Sequence, residues 1–180
     1  FLVTSSTVLS AEVFEKNIPP KTIHQFLPYD FNIYCKRFLR YWKPDLAIWS
    51  EQDVWPELSC QASNFGIKQV LINGMIRQES FNRRIKIKPL HRVVYKNFEF
   101  ISTQDFSSKS FYQKLGASCI IRTDGSLKPH CPPLSFDKKN LKIIKRAISN
   151  KSVWVVGSSF LEDEKIAIYT QKLLIKRNVR

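Results

Sequence analysis

The chain has 180 residues, 43% hydrophobic and 24% charged, which excludes a disordered polymer or a small disulfide scaffold and allows one sizeable core, or one domain with part of another. A net charge of +14 and a pI near 9.8 call for an anionic partner, whether nucleic acid, anionic lipid or a phosphorylated substrate. No apolar run reaches the roughly 18 residues of a membrane span, no zinc-finger, RNA-recognition or helix-turn-helix pattern supports nucleic acid, and Cys35, Cys60, Cys119 and Cys131 lack metal or redox spacing, so they read as reduced, mostly buried thiols suited to a cytosolic compartment.

Phe1-Leu2-Val3 reads as a core strand with nothing leading into it, and the only methionine is Met75, so the chain reads as a piece of a longer protein. Ser10 is placed to cap a short helix that ends at Pro19-Pro20. Ile23 to Phe26 makes a second strand. Asp30 is then expected to cap a helix whose stripe of Phe31, Tyr34, Cys35, Phe38, Leu39 and Trp42 faces a core. His24 is either a ligand or base or, as lone histidines more often are, a hydrogen-bonded core residue.

Leu46 to Trp49 is apolar without alternation, as in a strand covered on both faces. Glu51 and Asp53 follow it directly, and Pro56 has the fixed φ favoured at a first helical position. Two carboxylates thus fall at a strand's carboxyl end beside a helix N-terminus, where α/β sheets place their chemistry, although such residues are more often a solvated loop and a helix-terminus charge. The helix from Trp55 to Phe65 stops at Gly66, and Val70 to Ile72 is the next strand. Arg77, Arg83, Arg84, Lys86, Lys88, Arg92 and Lys96 then crowd one segment against Glu79 alone, on two short helices broken at Pro89.

Phe98 to Ile101 is a strand, Ser107 to Leu115 a helix stopped by Gly116, and Cys119 to Ile121 a sixth strand. The turn-rich 131–137 segment reads as a linker. Asp137 caps a helix through Ile148, Val153 to Val156 is a strand and Glu162 to Lys176 a helix. The alternation predicts an α/β fold in which six strands form one Rossmann-like parallel sheet with helices on both faces, while Val153 to Val156 belongs elsewhere.

The central stretch Trp-Ser-Glu-Gln-Asp-Val-Trp-Pro-Glu-Leu (49–58) resembles the Glu-x-Glu-Leu-Trp-Pro-Asn-Leu signature of the bacterial Kdo transferases, which move 3-deoxy-D-manno-octulosonic acid from CMP-Kdo onto lipid A precursor. His24, Gln25, Phe26, Pro28 and Asp30 match the family's His-Gln-Phe-x-Pro-x-Asp, and Thr4, Thr7, Ser10 and Ala11 match its threonine-rich turn, with Ser6 in place of a glycine. Gly125-Ser126-Leu127-Lys128 resembles its Gly-Asn/Ser-Leu-Lys; Gln104 and Leu115 to Ala117 also agree. Asn73-Gly74-Met75 stands where the family has Asn-Ala-Arg, and the chain departs from the pattern at Asp53, Glu57, Met75 (for arginine), Pro129-His130 (for Phe-Asp) and Phe160 (for histidine).

The resemblance implies a GT-B architecture: 1–130 as an acceptor-side N-terminal domain lacking its start, 131–137 as linker and 138–180 as the first strand and helix of a Rossmann-like nucleotide-sugar domain. It implies that Glu51 and Lys128 stabilise the transition state, that Arg77, Arg83 and Arg84 lie near the acceptor lipid, and that the site needs no metal or cofactor beyond the donor CMP-Kdo. The family's general base, in a Ser-Val-Gly-Glu segment, would precede Phe1, and its Arg-His-Pro and glycine-rich CMP-binding segments would follow Arg180. Expected partners are lipid A precursor and the anionic cytoplasmic face of the bacterial inner membrane, with no nucleic acid. The isolated chain is expected to be inactive, the alternative being a degenerate remnant that binds anionic lipid or a protein.

Overall fold

The computed structural model describes residues 1–51, 54–133, 136–149 and 151–177. Asp53 lies outside the described residues, as do Leu134 and Ser135 of the expected linker. Phe1–Cys131 form one compact unit and the residues from Pro132 onward a second.

In the first unit strands and helices alternate: β1 (Leu2–Ser5), α1 (Val8–Glu15), β2 (Ile23–Phe26), α2 (Asn32–Trp42), β3 (Leu46–Ser50), α3 (Pro56–Asn64), β4 (Lys68–Gly74), α4 (Gln78–Arg84), α5 (Lys88–Tyr95), β5 (Phe100–Thr103), α6 (Phe106–Leu115) and β6 (Ile120–Thr123). A 3-10 turn, Ile85–Ile87, joins α4 to α5, so the break falls just before Pro89 as the proline dictates. This is a mixed α/β fold of parallel sheets flanked by helices.

The six strands do not make one sheet. β1 pairs in parallel with β2, and β3-β4-β5-β6 form a separate parallel sheet in that order. Apolar period marks where a strand lies but says nothing about which edges meet, and among the described residues no ladder joins either of the first two strands to β3.

The core lies on one face of the larger sheet, where Trp49, Leu71, Ile101 and Ile121 meet Cys35 and Leu39 of α2, Leu58 and Ala62 of α3, Val94 and Tyr95 of α5, and Phe111, Tyr112 and Leu115 of α6. Gln69 is fully buried in it, accepting from the Trp49 indole at 3.0 Å and donating to the Ser59 carbonyl at 2.9 Å. The expectation that β3 is covered on both faces is corrected: Trp49 is buried, but Leu46 and Ile48 on the other face are 47% and 61% exposed. Cover depends on which elements reach that face, which the strand's own residues do not encode.

Two caps differ from those read off the sequence. Thr7, not Ser10, caps α1, its hydroxyl accepting from the Ser10 N–H at 3.2 Å. Asp30 does not cap α2, whose N-cap is Phe31. Its carboxylate instead reaches across the fold to accept from the N–H groups of Glu57 (3.1 Å) and Leu58 (2.8 Å), capping α3, whose first position is Pro56.

In the second unit Asp137 caps α7 (Lys138–Ala147), accepting from the Lys139 and Asn140 N–H groups, and α8 (Leu161–Lys176) follows. The expected strand at 153–156 is absent: among the described residues that segment pairs with no strand, and Val155 is 85% exposed. A strand exists only with a ladder partner, and β propensity alone does not supply one.

Candidate functional site

The carboxyl edge of β3, β4, β5 and β6 brings Glu51 and the turn after β6 onto one residue, Asn73. Glu51, one residue past β3, takes the left-handed conformation (φ 58°) and donates its backbone N–H to the Ile72 carbonyl at 3.0 Å. Asn73, near the end of β4, is also left-handed (φ 54°) and only 6% exposed. Its side-chain amide donates to Glu51 Oε1 at 3.3 Å, and its side-chain oxygen accepts from the Leu127 N–H at 3.1 Å. Its main-chain carbonyl accepts from the Gln104 side chain at 3.0 Å, while the Gln104 N–H donates to the Gly74 carbonyl.

Lys128 follows Leu127 and opens a 3-10 turn through His130, its own N–H donating to Ser126 Oγ at 3.3 Å. The turn is shaped by Gly125 at φ 86°, a conformation costly for any residue with a Cβ. Both Glu51 and Lys128 are solvent-exposed, and among the described residues Lys128 forms no ion pair. Two further carboxylates line this edge: Asp124 accepts from Ser102 Oγ at 2.6 Å, and Asp105 caps α6 through the Ser108 N–H at 2.7 Å.

The cationic segment is not uniform. Arg77 and Arg83 are exposed, whereas Arg84 is half-buried and donates to the Tyr95 hydroxyl at 3.0 Å. Tyr95 stacks on His91 and meets Tyr112 edge-on. Burial, and then the Arg84 charge, hold His91 below its ordinary pKa, and its buried Nε2 has no hydrogen-bond partner among the described residues. Ile87, Leu90 and Val93 lie exposed among Lys86, Lys88, Arg92 and Lys96, giving this surface apolar and cationic character together.

His24 bonds Ser5 Oγ through Nε2 at 2.9 Å between the rings of Phe14 and Phe26. All four cysteines are free thiols; burial pushes Cys35 up to about 11, helped by Asp30 and Glu57, and raises Cys60 and Cys119 as well. Those three sulfurs therefore stay protonated near neutrality and are poor nucleophiles.

A family model described as 3-deoxy-D-manno-octulosonic-acid transferase (kdotransferase) matches residues 1–130. The chain belongs to the Kdo transferase family. Proteins named 3-deoxy-D-manno-octulosonic acid transferase are similar to it in Rickettsia felis (33% identical over 171 residues, 93% of this chain and 36% of the relative), Rickettsia bellii (32% over 177 residues, 98% and 42%) and Chlamydia trachomatis (27% over 143 residues, 78% and 33%). The chain thus spans a third to two-fifths of the length of these Kdo transferases.

Of the residues singled out by resemblance, Glu51 and the turn of Lys128 sit at the same sheet edge and share Asn73 as a neighbour. Met75, where the Kdo transferase pattern has arginine, is half-buried next to the buried Ile76. Two residues that tie distant segments together were not among the candidate site residues read from the sequence. Asn73 matched the family's asparagine, but its role shows only once β4 and the turn after β6 are adjacent. Asp30 matched too, and its partners lie 27 and 28 residues away.

Proposed function

We propose that this chain is the acceptor-side part of a Kdo transferase that passes 3-deoxy-D-manno-octulosonic acid from CMP-Kdo to lipid A precursor in lipopolysaccharide synthesis. The supporting observation is the family match over the whole first unit, together with the shared neighbourhood of Glu51 and the Lys128 turn. In such a transfer the acceptor hydroxyl gives its proton to a general base supplied by the rest of the enzyme and its oxygen bonds the sugar as the sugar–phosphate bond breaks, so that positive charge develops on the sugar and negative charge on the departing phosphate. A carboxylate at Glu51 stabilises the first charge and an ammonium at Lys128 the second, with no metal required. Arg77 and Arg83, with Lys86, Lys88 and the exposed Ile87 and Leu90, meet the phosphorylated acceptor at the cytoplasmic face of the inner membrane. Arg84 acts there indirectly, by holding Tyr95.

The test is a hybrid in which residues 1–131 replace the matching segment of the Rickettsia felis relative, assayed with labelled CMP-Kdo and lipid A precursor. Transfer is expected, and Glu51→Ala or Lys128→Ala should each lower it by roughly 10²- to 10³-fold. An active hybrid indifferent to both substitutions overturns the reading. The 180-residue chain alone is expected to show no transfer.

A further inference from the structure

We infer that Asn73 is the positioning residue of this edge, a carboxamide clamp that fixes the Glu51 carboxylate relative to the turn carrying Lys128. The inference deepens the transfer reading and rests on it. A carboxamide has a donor end and an acceptor end, and here each is used on a different element: the amide on Glu51 Oε1 at 3.3 Å, the oxygen on the Leu127 N–H at 3.1 Å. Neither a carboxylate nor a hydrocarbon of the same size can make both bonds.

The backbone is adapted to this use. The pairing of β4 with β5 shifts register between Leu71 and Gly74, and Asn73 lies in that irregularity, the kind of feature that re-aims a side chain. Its left-handed φ of 54° suits asparagine far better than most residues. The next residue, Gly74, is closely packed: a Cβ there would come within 3.2 Å of the Ser102 carbonyl and of the Tyr112 ring, and these would have to give by a few tenths of an ångström. Its carbonyl is held by Gln104, so the peptide that carries the clamp cannot rotate freely. Asn73 itself is 6% exposed, and its bonds to Glu51 and Leu127 are part-buried.

The test follows the ¹⁵N,¹³C-labelled full chain by NMR through the acidic range. The Leu127 amide shift should inflect with the same midpoint as the Glu51 side-chain carboxyl. Glu51→Gln should remove that inflection, which assigns it to Glu51 rather than to Asp124 or Asp105, the other carboxylates of the edge. Asn73→Gly, which keeps the left-handed backbone, should leave Glu51 titrating, silence Leu127, and speed exchange of the Leu127 amide about five- to tenfold, as expected for one lost hydrogen bond. A residue that merely supports folding would not transmit a titration. A Leu127 amide that ignores Glu51 in the unsubstituted chain, or still follows it after Asn73→Gly, overturns the clamp. None of these outcomes uses the reaction, so failure of the clamp is distinguishable from failure of the transfer reading, which the hybrid decides.

Discussion

Gln69 shows how a polar residue earns a place in a core: it accepts from a buried indole N–H that would otherwise be alone, and its own amide finds an acceptor in a helix carbonyl. Gln69→Leu preserves size and removes both partners, so a loss of about 1–3 kcal/mol is expected in denaturant unfolding. Unchanged stability would show that Trp49 and Ser59 find other partners. His91 sets a pH dependence. Its folded pKa lies below the ordinary 6.5, so above that value both folded and unfolded chains hold it neutral and stability is insensitive to it. As pH falls below 6.5 the unfolded chain takes up the proton first, and stability declines through the folded pKa. The unfolding midpoint should fall between pH 7.5 and about 5.5, and His91→Phe, which keeps an aromatic ring against Tyr95, should lessen the fall. An equal fall in the variant would assign it to other groups.

Among the elements, α3 depends on a residue outside itself. Asp30, between β2 and α2, satisfies two of the N–H groups that open α3, and Glu57 in that first turn accepts from Asn32 at 2.9 Å and Gln61 at 2.8 Å. Asp30→Ala should therefore cost about 0.5–2 kcal/mol. Hydrogen exchange locates the effect: the Glu57 and Leu58 amides should lose protection while those of α2 keep theirs. Faster exchange confined to α2 would restore the local cap read from the sequence. Because α3 follows the Glu51 loop, this cap ties the β2–α2 connection to the edge where Glu51 sits.

For the whole molecule, the cationic excess acts as a surface property. Each lysine or arginine near an anionic bilayer contributes roughly 1 kcal/mol, and the exposed Ile87, Leu90 and Val93 add apolar contact. The chain is expected to bind vesicles containing anionic lipid, more weakly as salt rises, and not to bind neutral ones. Replacing Arg83, Lys86 and Lys88 together by glutamine should weaken binding strongly in a flotation assay. Equal binding by that variant would move the contact elsewhere. Among the described residues no helix is long and apolar enough to cross a membrane.

Local chemistry was legible in the amino-acid sequence: Pro56 opens α3, Gly66 and Gly116 end α3 and α6, Asp137 caps α7, and the apolar periods locate all six strands of the first unit. The motifs around Glu51 and Lys128 carried the family, because such spacings record chemistry in consecutive residues. Partnership between distant segments was decided only by the tertiary structure. Whether Asp30 caps its own helix or α3, whether β2 joins β3 in one ladder, whether 153–156 finds a strand to pair with, and whether Asn73 joins Glu51 to the Leu127 amide all depend on contacts across 22 to 54 residues or more. A residue's type sets which bonds it can make, but the packing of the chain determines which groups come within reach.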